Sequence, residues 1–216
     1  MNLENFLLQA IFFIPPFLLA ISVHESAHAY IAYRFGDPTA RDLGRITLNP
    51  VPHIDLIGFI ALFLVHFGWA KPVPVNHLNL KNPIKDNLWI ALAGPVSNLI
   101  LAVVSALVFR VVAPFISDSA VGAFIVTMIV ASVTLNLVLM VFNLFPIPPL
   151  DGFHILQGVV PYNIYLQLEK IQTAGPMILL AIILIGNFSG VSIFGYIFNP
   201  IVSVLGGMLL GTPIHW

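Results

Sequence analysis

Two stretches of this chain are too long and too apolar for a water-soluble core. From about residue 88 to 115 the one charged side chain is Arg110, and from about 120 to 145 there is none. A helix that crosses a bilayer needs about 20 mostly apolar residues, so either run can span. A third run covers roughly 6–33 and contains the Pro15–Pro16 pair, and two more lie near 174–187 and 191–211. The segment 54–69 is apolar but short for a span. Only 8% of the 216 residues are charged, against about 25% in an ordinary soluble domain, which makes lipid the solvent for most of the chain. The expected fold is an all-α polytopic membrane protein with about five to six membrane helices. No polar stretch is long enough to form a separate soluble domain, so residues 1–216 read as one integral-membrane domain.

Charge and cysteine content narrow the chemistry. The net charge is −1 and gives no sign of a nucleic-acid partner. The absence of cysteine excludes disulfides, thiol catalysis and thiolate metal ligands. The opening "MNLENFLLQA" holds no Lys or Arg, so a cleavable signal peptide is not expected. Lysines and arginines set orientation. Arg34, Arg41 and Arg45 follow the first run, and Lys71, Lys81 and Lys85 follow the short apolar segment. The two groups share the cytoplasmic side if that segment dips in and returns. The N-terminus is then non-cytoplasmic. "GWAKPVPVN", residues 68–76, alternates and holds two prolines, so a small membrane-associated β or re-entrant element is expected near 54–80.

The stretch "HESAH", 24–28, lies inside the first apolar run. On a helix, residues four apart share a face, so His24 and His28 can bind one metal. Glu25 sits beside them and can reach a metal-bound water without being a ligand. This is the HExxH arrangement, with Zn²⁺ as the expected metal, one per chain, and Glu as the general base. Ionisable residues inside a membrane span are costly and mark functional sites. Polar helix packing without a metal is the competing reading. A catalytic zinc takes three protein ligands and a water, so one ligand is missing. The candidates are Asp151, His53, His66, His154 and Asp55. Asp151 is the best of them. It follows a long apolar run in "NLFPIPPLDG", 143–152, where Pro146, Pro148 and Pro149 break the helix and can aim a carboxylate inward. An Asp-Gly pair is equally at home in an ordinary turn.

HESAH on a first membrane helix, together with "NLFPIPPLDG" late in the chain, resembles the site-2 protease family of intramembrane zinc metalloproteases. "AGPVSN", 93–98, resembles a family segment between the two metal motifs, and "GDPTARDLGRITLNPVPHID" looks like a minimal subgroup without PDZ or CBS domains. The resemblance covers most of residues 10–155. It implies that His24, His28 and Asp151 bind zinc, that Glu25 activates water, and that Asn143 helps hold the substrate backbone or the oxyanion. It places the metal-binding core within about 6–155 and leaves the C-terminal helices, about 174–211, without a role. The implied substrates are proteins with transmembrane helices.

His28 precedes Arg34 by six residues, about 9 Å along a helix, so the metal is expected below the cytoplasmic surface. A substrate helix must unwind to be cut, and exposed backbone is stable only in a wet cavity. An edge strand through Val73 and Val75 could pair with it. His53 and His66 could support the metal ligands from a second layer, as could Asn98. His154 could orient Asp151. "GGMLLG", 206–211, has the small-residue spacing of a helix-packing or homo-oligomer contact. The alternative function is a membrane metal-binding or metal-transport protein. Transport favours ionisable groups strung across the bilayer, whereas these lie at one depth.

Overall fold

The computed structural model describes residues 3–65, 68–117, 119–189 and 193–212. His66 and its expected second-layer role lie outside the described residues. Nine α-helices are present among them: α1 (Leu3–Arg34), α2 (Thr39–Asp42), α3 (Leu56–Val65), α4 (Pro83–Val112), α5 (Ala120–Asn143), α6 (Asp151–Val159), α7 (Tyr162–Gln172), α8 (Gly175–Ser189) and α9 (Ile193–Leu210). Three stretches are long and apolar enough to cross a bilayer: Ile11–Arg34, Pro83–Phe115 and Ala120–Asn143. A fourth forms if α7 and α8, bent by 64° at their junction, count together. The all-α polytopic architecture is as expected, and the count of five to six was approximate. The difference lies in α3, with 10 residues, in α8, with 15 and a sharp bend from α7, and in α9, whose apolar part Phe194–Leu210 is shorter than a span.

Helix association in lipid depends on close backbone approach, because an apolar face gains nothing by leaving lipid for another apolar face. The chain meets this with residues spaced four apart. On α1 the buried stripe is Ala20, His24, His28 and Ala32, and on α4 it is Gly94, Asn98, Ala102 and Ala106. Each stripe combines small residues with site residues, so the surfaces that bring the helices together also carry the polar groups. Val133, Leu137, Met140 and Val141 of α5 pack on Ala102 and Ala106, and Phe198 and Val202 of α9 close this core. Arg110, the lone charge of its run, caps the end of α9, with Nε donating to Leu209 O at 2.8 Å and Nη2 to Met208 O at 2.9 Å.

The segment around α3 returns to its starting level. Ile54 and Ala70 form an antiparallel bridge, and Lys71 N donates to His53 O at 2.8 Å. A Cβ on Gly58 would overlap Trp69, so a glycine is needed where the returning chain crosses α3. Entry and exit therefore lie side by side, as a re-entrant segment requires. The β element is smaller than expected: among the described residues there is this one bridge and no strand, and residues 71–76 form no further bridge. Pro72 and Pro74 remove the donors along one of the two edges of this segment. The loop between α1 and α3 is fixed to this segment at two points. Arg45 donates from Nη2 to Lys71 O at 2.5 Å and from Nη1 to Pro72 O at 3.1 Å. Buried Asp37 accepts from Asn76 N at 2.7 Å, Asn79 Nδ2 at 2.8 Å and Thr39 Oγ1 at 2.6 Å. Burial pushes the Asp37 carboxyl up, and these donors outweigh it and hold the group below the usual carboxylate range.

Candidate metal centre

His24 and His28 project from one face of α1, one turn apart. Their Nε2 atoms are 3.0 Å from each other. Asp151, the first residue of α6, brings Oδ2 to 3.2 Å from His24 Nε2 and Oδ1 to 3.4 Å from His28 Nε2. Among the described residues this is the single group of three or more potential ligands whose donor atoms converge, all within 4.8 Å of one another. The Asp-Gly pair is not a turn. Gly152 lies against the main chain of Leu144 and Phe145, where a Cβ would overlap their carbonyls, and this contact lets α6 begin directly beneath the end of α5.

The far side of each imidazole is tied down. His24 Nδ1 is 2.6 Å from Asn98 Oδ1, and His28 Nδ1 is 2.7 Å from Ile90 O. Both partners are acceptors. Asn98 turns its oxygen toward His24 because its Nδ2 donates to Asn136 Oδ1 at 2.8 Å and Ala20 O at 3.3 Å. The Nδ1 atoms therefore carry the protons and the Nε2 lone pairs point inward. Two lone pairs and a carboxylate then face one another in a buried space, and Asp151 Oδ2 has no hydrogen-bond donor. Such an arrangement is repulsive without a cation. Two imidazole nitrogens and one carboxylate are a donor set that suits Zn²⁺ and leaves one position open, so the residues fit the metal. Substituting Asn98 by Ala removes the fixed orientation of His24. It is expected to weaken zinc binding by about 10- to 100-fold, read by competition with a chelator.

The remaining candidates sit elsewhere. Glu25 is half-buried, outside the converging group, and within the electrostatic reach of His28 and Arg45. Burial pushes the Arg45 guanidinium below its usual range, and the Glu25 charge opposes that shift. His53 is fully buried and donates from Nε2 to Thr47 O at 2.9 Å. Ser26 Oγ also donates to Thr47 O, at 2.5 Å, so His53 supports the loop against α1 rather than the ligands. Asp55 caps the start of α3 through Gly58 N at 2.8 Å. His154 lies one turn past Asp151 and meets Gln157 Oε1 at 3.0 Å. Asn143 is half-buried at the end of α5, with Nδ2 donating to Leu139 O at 3.0 Å. Val73 and Val75 are half-buried in the extended segment, and Val75 packs on the cluster of Ala32, Leu80 and Ile90. Sequence reasoning missed Gly94, Ile90 O and Asn136. Asn136 left a signal, as a lone amide in an uncharged run.

The model of peptidase family M50 matches residues 110–186, a range that includes Asp151. The Bacillus subtilis (strain 168) protein named "Putative zinc metalloprotease YwhC" is 34% identical over 200 residues, or 86% of this chain and 91% of that protein. The chain belongs to peptidase family M50. Two mycobacterial proteins of the same description, named Rip2, are also similar. The one from Mycolicibacterium smegmatis is 31% identical over 149 residues, and the one from Mycobacterium tuberculosis H37Rv is 30% identical over 146. Each alignment covers 65% of this chain and 54% of the relative. No solved structure matches the chain. The M50 protein is thus a zinc metalloprotease of the site-2 protease type and a multi-pass membrane protein, with lipid as its surroundings and membrane proteins as its substrates. Family membership favours hydrolysis over metal transport.

Proposed function

We propose that this M50 member is an intramembrane endopeptidase that hydrolyses peptide bonds in or near transmembrane segments, with His24, His28 and Asp151 holding zinc and Glu25 as general base. The observation that carries the reading is the convergence of the three donor groups, with Glu25 next to a ligand on the same helix. Zinc in that position supplies a Lewis acid for the scissile carbonyl and lowers the pKa of water. Glu25 takes the proton of the attacking water and delivers it to the leaving amine nitrogen. Asn98 and Ile90 O keep the imidazoles in the tautomer that faces inward. Asn143 has a second amide hydrogen to offer the substrate backbone. The site faces the cytoplasmic side, the N-terminus lies on the other side, and residues 1–216 act as one membrane domain.

Substrate backbone must be held extended while it is cut. Among the described residues the N–H groups of Val73 and Val75 make no hydrogen bond. Pro72 and Pro74 leave the opposite edge without donors, so one edge alone can pair with an unwound substrate. Replacing Val73 and Val75 by Pro removes these donors. Cleavage is expected to fall at least about 10-fold while zinc content stays constant; unaltered cleavage would exclude the pairing. The general test is purified protein in lipid nanodiscs with a panel of single-span membrane substrates, measuring cleavage and zinc on the same samples. Cleavage that a chelator abolishes and zinc restores is expected, and a zinc-loaded protein that cuts no member of the panel counts against the proposal.

A further inference from the structure

The chain has few polar side chains, and several of them surround one space. A cavity of about 390 Å³ lies between the His77 turn, the start of α4, α6 and α7. Its walls include His77, Asn87, His154, Gln157, Tyr165 and Glu169. Each helix contributes residues at helical spacing: His154 and Gln157 from α6, Tyr165 and Glu169 from α7. The volume falls within the usual range for ligand sites of about 300–1,000 Å³, and the lining mixes polar side chains with apolar surface from Pro83 and Ile84. His154 stands one turn beyond Asp151, about 5 Å along the axis of the same short helix, so one wall of the space is built on the helix that carries Asp151.

We propose that this cavity receives the polar flank of the substrate, next to its membrane segment, and that Glu169 selects a Lys or Arg there. The proposal rests on the proteolytic reading above. Three observations support it. Glu169 is the one carboxylate in the lining, and Tyr165 Oη donates to its Oε1 at 3.4 Å. Lys85, on the neighbouring turn of α4, is engaged with Gly158 O at 2.7 Å. Membrane segments carry an excess of Lys and Arg in their cytoplasmic flanks, so a chain cut at this depth presents a cation a few residues from the scissile bond. The Tyr165 ring adds a face on which such a cation can rest.

The test uses the full chain carrying Glu25→Gln in nanodiscs and a fluorescent single-span substrate whose flank holds either two Lys or two Glu. Glu169 is exposed, and a pair of this kind corresponds to a preference of up to about fivefold for the basic flank. Glu169→Gln is expected to remove the preference and Glu169→Lys to reverse it, with zinc content constant in both. In the protein with Glu25 intact, the effect falls on KM rather than kcat. Equal binding of the two flanks, or a preference that survives Glu169→Gln, overturns the proposal. Cleavage of both flanks alike leaves proteolysis standing and removes the cavity assignment. No cleavage of either flank, with the binding preference and its reversal intact, does the opposite.

Discussion

Glu25→Gln is expected to reduce cleavage by about 10²–10⁴-fold, the range of a lost general base, while zinc stays at one per chain. Gln keeps the size and helix compatibility of Glu, so the change removes a proton acceptor and little else. Glu25 lies outside the group of converging donor atoms, which is why metal content should not follow activity. Its surroundings support the assignment. The side chain is half-buried rather than sealed, and the Arg45 guanidinium shares its field. Single-turnover cleavage of a single-span substrate, with zinc measured on the same preparation, decides the matter. Activity within a few-fold of the unsubstituted protein would remove Glu25 from the role of base. Loss of zinc in the Gln variant would mean that the carboxylate acts on the metal site itself.

Much of this centre could be read from the sequence, because its geometry is local. His24 and His28 share a face by helical spacing alone. Counting coordination positions calls for a third donor, and the proline break points to Asp151, whose carboxylate converges with the two imidazoles. The helix faces were harder to read. In lipid the outer surface is as apolar as the interior, so hydropathy does not tell which side of α4 or α5 points inward. Small and polar residues at four-residue spacing carry that information instead, as in Gly94, Asn98, Ala102 and Ala106. The pairing around 54–80 depended on how the chain returns past Gly58, which no period reveals. The prolines beside Val73 and Val75 also leave one edge of that segment without donors. His53 looked like a site histidine because of its place in sequence, but its partner is Thr47, set by the loop that folds back on Ser26. The bend between α7 and α8 has a local mark in Gly175–Pro176, whereas the cavity at Glu169 depends on how α6 and α7 meet the start of α4, which no local pattern reveals.

Gly94→Ala is expected to weaken zinc binding at least about 100-fold without unfolding the protein. A Cβ at this position would come within 2.6 Å of His24 Nε2 and 2.5 Å of His24 Cε1, and nearer still to His28 Nε2. Real Cβ atoms do not approach so closely, so something must move. The main chain of α4 has little room to retreat, because Asn98, Ala102 and Ala106 on the same stripe are buried against neighbouring helices. The imidazoles must therefore turn, and doing so breaks the Nδ1 contacts to Asn98 Oδ1 and Ile90 O that aim both Nε2 atoms inward. Helix propensity acts in the opposite direction, since Ala is better than Gly in a helix interior by about 1 kcal/mol. The broken contacts leave buried polar groups unpaired at about 1–3 kcal/mol each, more than the helix gains, so the variant should be modestly less stable without metal and should gain far less stability from added zinc than the unsubstituted protein. Chelator competition gives the affinity, and thermal unfolding with and without zinc gives the stability. Ile100→Ala, on the lipid-facing side of the same helix, serves as the control for α4. Zinc binding at full affinity in Gly94→Ala would mean that the two imidazoles have more freedom than their hydrogen bonds imply, and that the metal does not sit where His24, His28 and Asp151 converge.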